Sequence, residues 1–296
     1  MKIPSWYHDA LKVSADIARR DVFFVVGCQK SGTTWVRRLL DNHPNVCCRG
    51  EGHFSDVIAP MLEQMHRIYN EDRRATWGFG PDDLLANIRL VTDTILGKYL
   101  AGCRDRRDVR LIGDKTPESA LAVPALSVLY PGARFIHVIR DGRDAAVSGW
   151  AHIHRRGAQQ RFDSFSDYAV YFAEHHWAPY ITRARQGGRH VPDRYLEVRY
   201  EDLHDSPTDH THRILQFLGV SAADDIVRSC VHRAAFRALS GRDAGDEDPS
   251  SHFRKGIVGD WANRFDEAAL RRFEAVAGPL LQELGYARTA TVARAA

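Results

Sequence analysis

The sequence predicts an α/β fold: a single domain whose central, mostly parallel sheet is flanked by helices. Three observations predict it. Apolar runs of strand length alternate with longer helical patterns, as repeated strand–helix units require. Two of those runs, Val22–Gly27 (VFFVVG) and Ala133–Ile139 (ARFIHVI), read as strands buried on both faces. The 296 residues suit one large α/β domain, with two smaller domains as the alternative.

The elements follow in order. Residues 1–20 form a mixed polar N-terminal segment, and 21–287 carry the domain. Val22–Gly27 leads into a helix over Thr33–Asn42, stopped before Pro44 because a residue preceding proline disfavours helix. Val46–Arg49 is a short strand, and Pro81–Gly102 a helix. Val109–Ile112 is a strand running into Gly113-Asp114-Lys115-Thr116-Pro117, with Pro117 opening a helix to Tyr130. A helix follows Ala133–Ile139 and passes through Ser148. Phe165–Gln186 reads as one long aromatic-rich helix, Arg194–Tyr200 as a strand, and Pro207–Leu218 and Ala223–Ala235 as helices. Gly241–Ser251 is a polar, Gly- and Asp-rich loop. Phe265–Leu284 closes the fold, and 288–296 read as a disordered tail.

Composition removes several classes. Apolar residues at 44% and charged residues at 27% are ordinary globular usage. A net charge of +3 is too small for a nucleic-acid surface. No apolar run reaches the ~18–20 residues of a membrane span. The N-terminus lacks the apolar core of an export signal, so the expected location is cytoplasmic. Five cysteines without a Cys-x-x-Cys pair read as free thiols. Only six of the 41 basic residues are lysines, among them Lys30, Lys115 and Lys255.

Gly27-Cys28-Gln29-Lys30-Ser31-Gly32-Thr33-Thr34 follows a strand and opens a helix. It approximates the phosphate loop of P-loop NTPases, whose glycines and helix N–H groups wrap an anion. Here Thr33 follows the second glycine where an NTPase has Lys, and Lys30 sits inside the loop. Trp35 follows and offers a purine a stacking face.

The string Lys30-Ser31-Gly32-Thr33-Thr34-Trp35 resembles the phosphosulfate loop of sulfotransferases that use 3′-phosphoadenosine 5′-phosphosulfate (PAPS). The resemblance implies a P-loop-like fold, with PAPS as donor and no metal. Lys30 would assist departure of the leaving oxygen, and residues Ser31, Gly32, Thr33 and Thr34 would cradle the phosphosulfate. Many members have Pro where this chain has Gln29.

Two further strings resemble the same family. Arg140-Asp141-Gly142-Arg143-Asp144-Ala145-Ala146-Val147-Ser148 reads alone as an Arg–Asp surface cluster or as a phosphate site; by resemblance, Arg140 and Ser148 bind the nucleotide's 3′-phosphate. Phe253-Arg254-Lys255-Gly256-Ile257-Val258-Gly259-Asp260-Trp261 resembles the late nucleotide signature, with Arg254, Lys255 and Gly256 on the 3′-phosphate and Asp260 and Trp261 anchoring the segment. Tyr200 resembles the family's tyrosine near the adenine.

Transfer to a hydroxyl also needs a base. Gly50-Glu51-Gly52-His53-Phe54 follows a strand, where a carboxylate between glycines reads as a surface group or a catalytic one. It resembles the Glu-x-His-Phe segment of carbohydrate-type and bacterial sulfotransferases, which makes Glu51 the base. His53 is the alternative base, an acceptor-binding group, or a structural histidine. Lys115 stands where the small-molecule branch has a catalytic His. It would hold the sulfuryl oxygens, pair with Glu51, or bridge to Asp114 or Glu118. His152-x-His154, His175-His176 and His210-x-His212 lack a fitting ligand set, so no metal is expected. The aromatics of Phe165–Trp177 read as core, and Met61, Met65, Tyr69, Trp77 and Phe79 as lining for a small-molecule acceptor. The alternatives are a nucleotide kinase or NTPase, and a nucleotide-binding module without chemistry.

Overall fold

The computed structural model describes residues 5–71, 73, 77–103 and 108–286. The tail expected beyond 287 lies outside them. The N-terminal segment contains a helix, α1 (Ser5–Ile17), that the sequence reading left without structure. It leads into β1 (Asp21–Val26), α2 (Thr33–Asp41) and β2 (Val46–Arg49). A π-helical turn at Phe54–Ile58 precedes α3 (Ala59–Asn70), then α4 (Pro81–Ala101) and β3 (Leu111–Lys115). Next come α5 (Val123–Leu129), β4 (Arg134–Ile139) and α6 (Gly142–Arg155). Then follow α7 (Phe165–Phe172), α8 (Ala178–Gly188) and β5 (Tyr195–Arg199). The chain closes with α9 (Tyr200–Asp205), α10 (Pro207–Leu218), α11 (Asp224–Arg233), α12 (Phe236–Ser240) and α13 (Glu267–Glu283).

The strands form one sheet in the order β2-β3-β1-β4-β5, and every pairing is parallel. Side chains alternate across a strand, so β1 feeds two cores. Phe24 and Val26 pack with Leu96 and Leu100 of α4 and with Trp177, while Phe23 and Val25 pack with Val36, Leu39 and Leu40 of α2 and Leu215 of α10. The Phe165–Trp177 aromatics Tyr168, Phe172 and Trp177 are core, as expected. Connections from β1 run toward β2, whereas the chain from β3 crosses to β4. The crevice between such diverging loops is where open α/β sheets bind ligands.

Three of the expected elements have different bounds or are interrupted. β3 runs to Lys115, which pairs in register with Val25, so the strand continues through Gly113 and Asp114 beyond the end expected at Ile112. The segment from Pro117 splits into a 3₁₀ turn (Pro117–Leu121) and α5, because Pro124 lacks the N–H a continuous helix would use. The long helix at 165–186 is interrupted by a π-helical turn at Ala173–Trp177, just ahead of Pro179, which cannot donate to the preceding turn. Among the described residues no helix is long and apolar enough to cross a membrane.

Candidate active site

The end of β1 turns through Gly27–Gly32 into the N-terminus of α2. Lys30 has φ +69° and Gly32 φ +95°, left-handed values of the kind found where backbone N–H groups line an anion-binding concavity. Gly32 is required there twice over. Its φ disfavours a side chain, and a Cβ would stand 2.5 Å from the Tyr200 ring. Ser31 Oγ is buried in the loop without a hydrogen-bond partner.

Lys30 stands among cations. Burial lowers its pKa to about 8, and the nearby charges of Arg155 and Arg156 act in the same direction. Among the described residues no carboxylate forms an ion pair with its ammonium. His152 and His252 feel the same positive field: burial, then Lys30, holds both down to about 4.

Arg140, just past β4, closes the crevice. Its Nη1 donates to the Lys30 carbonyl (3.2 Å) and Nη2 to that of Ile257 (3.1 Å), and its guanidinium lies 4.2 Å from the centre of the Tyr200 ring. Its Nε is buried without a partner. Trp35 meets Tyr200 edge-on at 5.5 Å and donates Nε1–H to the Ala234 carbonyl (3.0 Å). Ser148 lies half-buried in α6.

The late segment is fastened by an acid that sequence reasoning missed. Asp144 accepts from Gly259 N (2.8 Å) and Trp261 N (2.9 Å). Arg254 and Lys255 both reach Asp260, the latter at 2.7 Å, and Arg254 also pairs with Glu247 at 2.6 Å. Burial would raise Asp260, but Lys255 and Arg254 bring it down to about 2. Asp260 therefore does anchor the segment, through its own cations. The Gly256 carbonyl lies 3.2 Å from His204 Nε2.

Beyond β2, Glu51 pairs with Lys115 through Oε1, one of the three partners expected for that lysine. Gly52 lets the loop close on Asp114: a Cβ there would meet the Phe54 ring at 2.4 Å and Asp114 Oδ1 at 2.8 Å. Its N–H donates to Asp114 Oδ1 (2.9 Å), which also receives Tyr99 O–H (2.9 Å), while Asp114 Oδ2 accepts from Thr116 (2.7 Å). His53 Nε2 is 3.6 Å from Glu51 Oε2, and Nδ1 is 2.8 Å from Asp56. The hydrogen bond to Asp56 raises the His53 pKa, opposed by partial burial and reinforced by Asp56, Glu118 and Glu51 charge. His53, Asp56 and Glu118 bring ligand-type atoms within 4.8 Å of one another, but Asp56 is already bound to His53, and Glu118 Oε1 accepts from Gln29 Nε2 at 2.6 Å.

A family model described as the sulfotransferase family matches residues 22–225, from β1 into α11. The chain belongs to the sulfotransferase family. Its curated relatives include a putative protein-tyrosine sulfotransferase of Caenorhabditis briggsae, 25% identical over 90% of this chain and 89% of that protein. Cytosolic sulfotransferase 16 of Arabidopsis thaliana is 24% identical over 90% of this chain and 78% of its own length. The fold matches a mouse sulfotransferase complexed with PAP, the desulfated nucleotide (TM-score 0.59, 16% identity, 89% of this chain and 84% of that one). It also matches retinol dehydratase in complex with retinol and PAP (TM-score 0.53, 20% identity, 92% and 86%).

In this sulfotransferase the sequence-predicted residues gather in two groups at one sheet edge. Lys30–Trp35, Arg140 and Tyr200 are joined by direct contacts, as are Glu51, His53 and Lys115. Arg254 and Lys255 join the first group through Ile257 and Arg140, but their side chains are turned to Asp260 and Glu247. The anchoring contacts of Asp144 and Glu247 were missed. Only the density of acids around the Arg140 and Arg254 strings hinted at them.

Proposed function

We propose that this sulfotransferase moves the sulfuryl group of PAPS to the hydroxyl of a sugar, aliphatic or natural-product acceptor, with Glu51 as base and Lys30 beside the leaving oxygen. The observation that carries the reading is the Lys30 ammonium: on a phosphate loop, crowded by cations and unpaired among the described residues. A nearly buried positive charge of this kind is stabilised by an incoming anion.

The donor's demands fit what is present. Ser31 Oγ, Arg140 Nε and Arg254 Nε are buried polar atoms without partners, which an anion can satisfy. The 3′-phosphate falls to Arg140, Ser148, Arg254, Lys255 and Gly256, and the adenine to Trp35 and Tyr200. The donor supplies an activated S–O bond, which breaks as the acceptor oxygen bonds to sulfur. Lys30 offers a compact ammonium to the departing phosphate oxygen, a task an arginine fork fits poorly. Thr33, Thr34 and the loop N–H groups hold the group in line. Glu51 takes the acceptor proton, and Lys115 fixes the orientation of that carboxylate. His53, surrounded by three carboxylates, is biased toward the imidazolium and is a poor base; it suits holding Glu51 or the acceptor.

Exposed apolar side chains Val57, Met61, Met65 and Ile68 follow His53 along the π-turn and α3, which favours an acceptor with an apolar body. The leaning toward carbohydrate-type members rests on the Glu51-x-His53-Phe54 segment and on Lys115 standing where the small-molecule branch has a His. A kinase reading loses its metal carboxylate, since Asp141 is bound by Arg143 at 2.7 Å. Incubating the protein with PAPS labelled in its sulfate and a panel of alcohols tests the reading. Label should move to an acceptor without added metal. Absence of transfer, with Mg²⁺-dependent phosphoryl transfer from ATP instead, would reject it.

A further inference from the structure

The polar segment 241–251 has no role in the chemistry above, yet it is laid along the 253–255 stretch. Gly245 N donates to the Lys255 carbonyl (2.8 Å), Asp248 N to that of Arg254 (2.9 Å), and Arg242 Nη2 to that of Phe253 (2.5 Å). These bonds set the Glu247 carboxylate on two cations. Oε1 is 2.6 Å from Arg254 Nη1, and Oε2 is 3.9 Å from Lys255 Nζ.

The two carboxylates on those cations are held differently. The Asp260 side chain is 4% exposed, receives Asn263 Nδ2 at 3.3 Å, and sits on a turn whose flanking amides are fixed by Asp144. The Glu247 side chain is 32% exposed, and its ion pairs are with Arg254 and Lys255. A carboxylate on a polar loop loses little on returning to water, whereas a buried one would lose its packing and its amide-anchored turn. Asp260 is the permanent partner and Glu247 the exchangeable one.

We infer that Glu247 is an internal counter-anion of the 3′-phosphate site. It neutralises Arg254 and Lys255 while no nucleotide is bound, yields to the 3′-phosphate, and returns as the product nucleotide leaves. A phosphate dianion carries more charge and more acceptor oxygens than one carboxylate, so it wins the exchange. A nucleotide ending in a 3′-hydroxyl has nothing with which to displace Glu247. The inference rests on assigning Arg254 and Lys255 to the 3′-phosphate.

Calorimetric titration of wild type and Glu247→Gln with PAP and with adenosine 5′-phosphate tests it, alongside stopped-flow displacement of PAP. Removing the competing charge frees one charge-assisted contact, so PAP should bind roughly tenfold more tightly, through slower dissociation. Adenosine 5′-phosphate should bind as before. Glu247→Ala should behave like Glu247→Gln, which separates loss of charge from any new amide contact. Equal changes for both nucleotides, unchanged PAP affinity or weaker PAP binding would each overturn the inference. If the wild type itself shows no preference for the 3′-phosphate, the assignment of Arg254 and Lys255 falls first, and the inference with it.

Discussion

At the end of β1 the phosphate loop is enclosed: Ser31 is fully buried, Arg140 ties the loop to residue 257, and Tyr200 covers Gly32. Two strands away, at the end of β2, Glu51 keeps 38% of its side chain exposed and His53 39%. Met61 and Met65 on the following helix are 66% and 45% exposed. The phosphate-loop region, the donor side in the proposed function, is fixed by cross-links from four separate parts of the chain. The Glu51 region, the proposed acceptor side, is held at its root by Asp114 and Lys115 and left open at its tip. A common donor needs one rigid cradle, while the acceptor is met by a surface that can vary without disturbing it.

The largest expected effect breaks the donor side. Lys30→Ala should lower kcat by roughly a thousandfold at saturating PAPS, the scale for losing one group that stabilises developing charge. Turnover within a few-fold of wild type would remove Lys30 from the chemistry. Next is Asp144→Asn, which loosens the Gly259 and Trp261 amides without touching nucleotide. PAP affinity should fall roughly tenfold, as for one charged hydrogen bond, with the acceptor KM unmoved.

The pH dependence separates the two regions further. Lys30 must be an ammonium to meet the anion and loses its proton through a pKa of about 8 in the free protein. PAP affinity should therefore be flat from about pH 7, where its phosphates are dianions, up to that pH and fall above it, by up to about tenfold per pH unit. Lys30→Arg should flatten the profile, because arginine stays charged. A wild-type profile level well above pH 8 would contradict the burial and charge crowding at Lys30. The smallest effect falls on the open side. Met65→Ser should raise KM for an apolar acceptor by a few-fold and leave PAP binding unchanged, as titration and initial rates would show.

Much of the donor side was legible because its signals are local. An apolar run, two glycines, Lys30 and a helix start lie within one turn of chain, and Arg140 follows a strand just as plainly. What was not legible depends on register between distant strands. Lys115 meets Glu51 only because β3 continues through Gly113 and Asp114, past the Ile112 end that the sequence pattern predicts. The pairing with β1 and β2 makes both strand residues; position 113 must then be glycine because a Cβ would strike the Phe23 ring at 2.2 Å, and Asp114 is tolerated because Gly52, Tyr99 and Thr116 satisfy its buried carboxylate. Likewise, Asp144 and Glu247 look like ordinary surface acids until the late segment is folded against α6 and the 241–251 loop.

Glu51→Gln joins the two sides in one measurement: PAP affinity by titration, and single-turnover sulfuryl transfer in the same protein. PAP should bind as it does to wild type, while the transfer rate falls by roughly a hundredfold or more, the share of a general base. Transfer at the wild-type rate would show that another group takes the proton and that Glu51 is only the partner of Lys115.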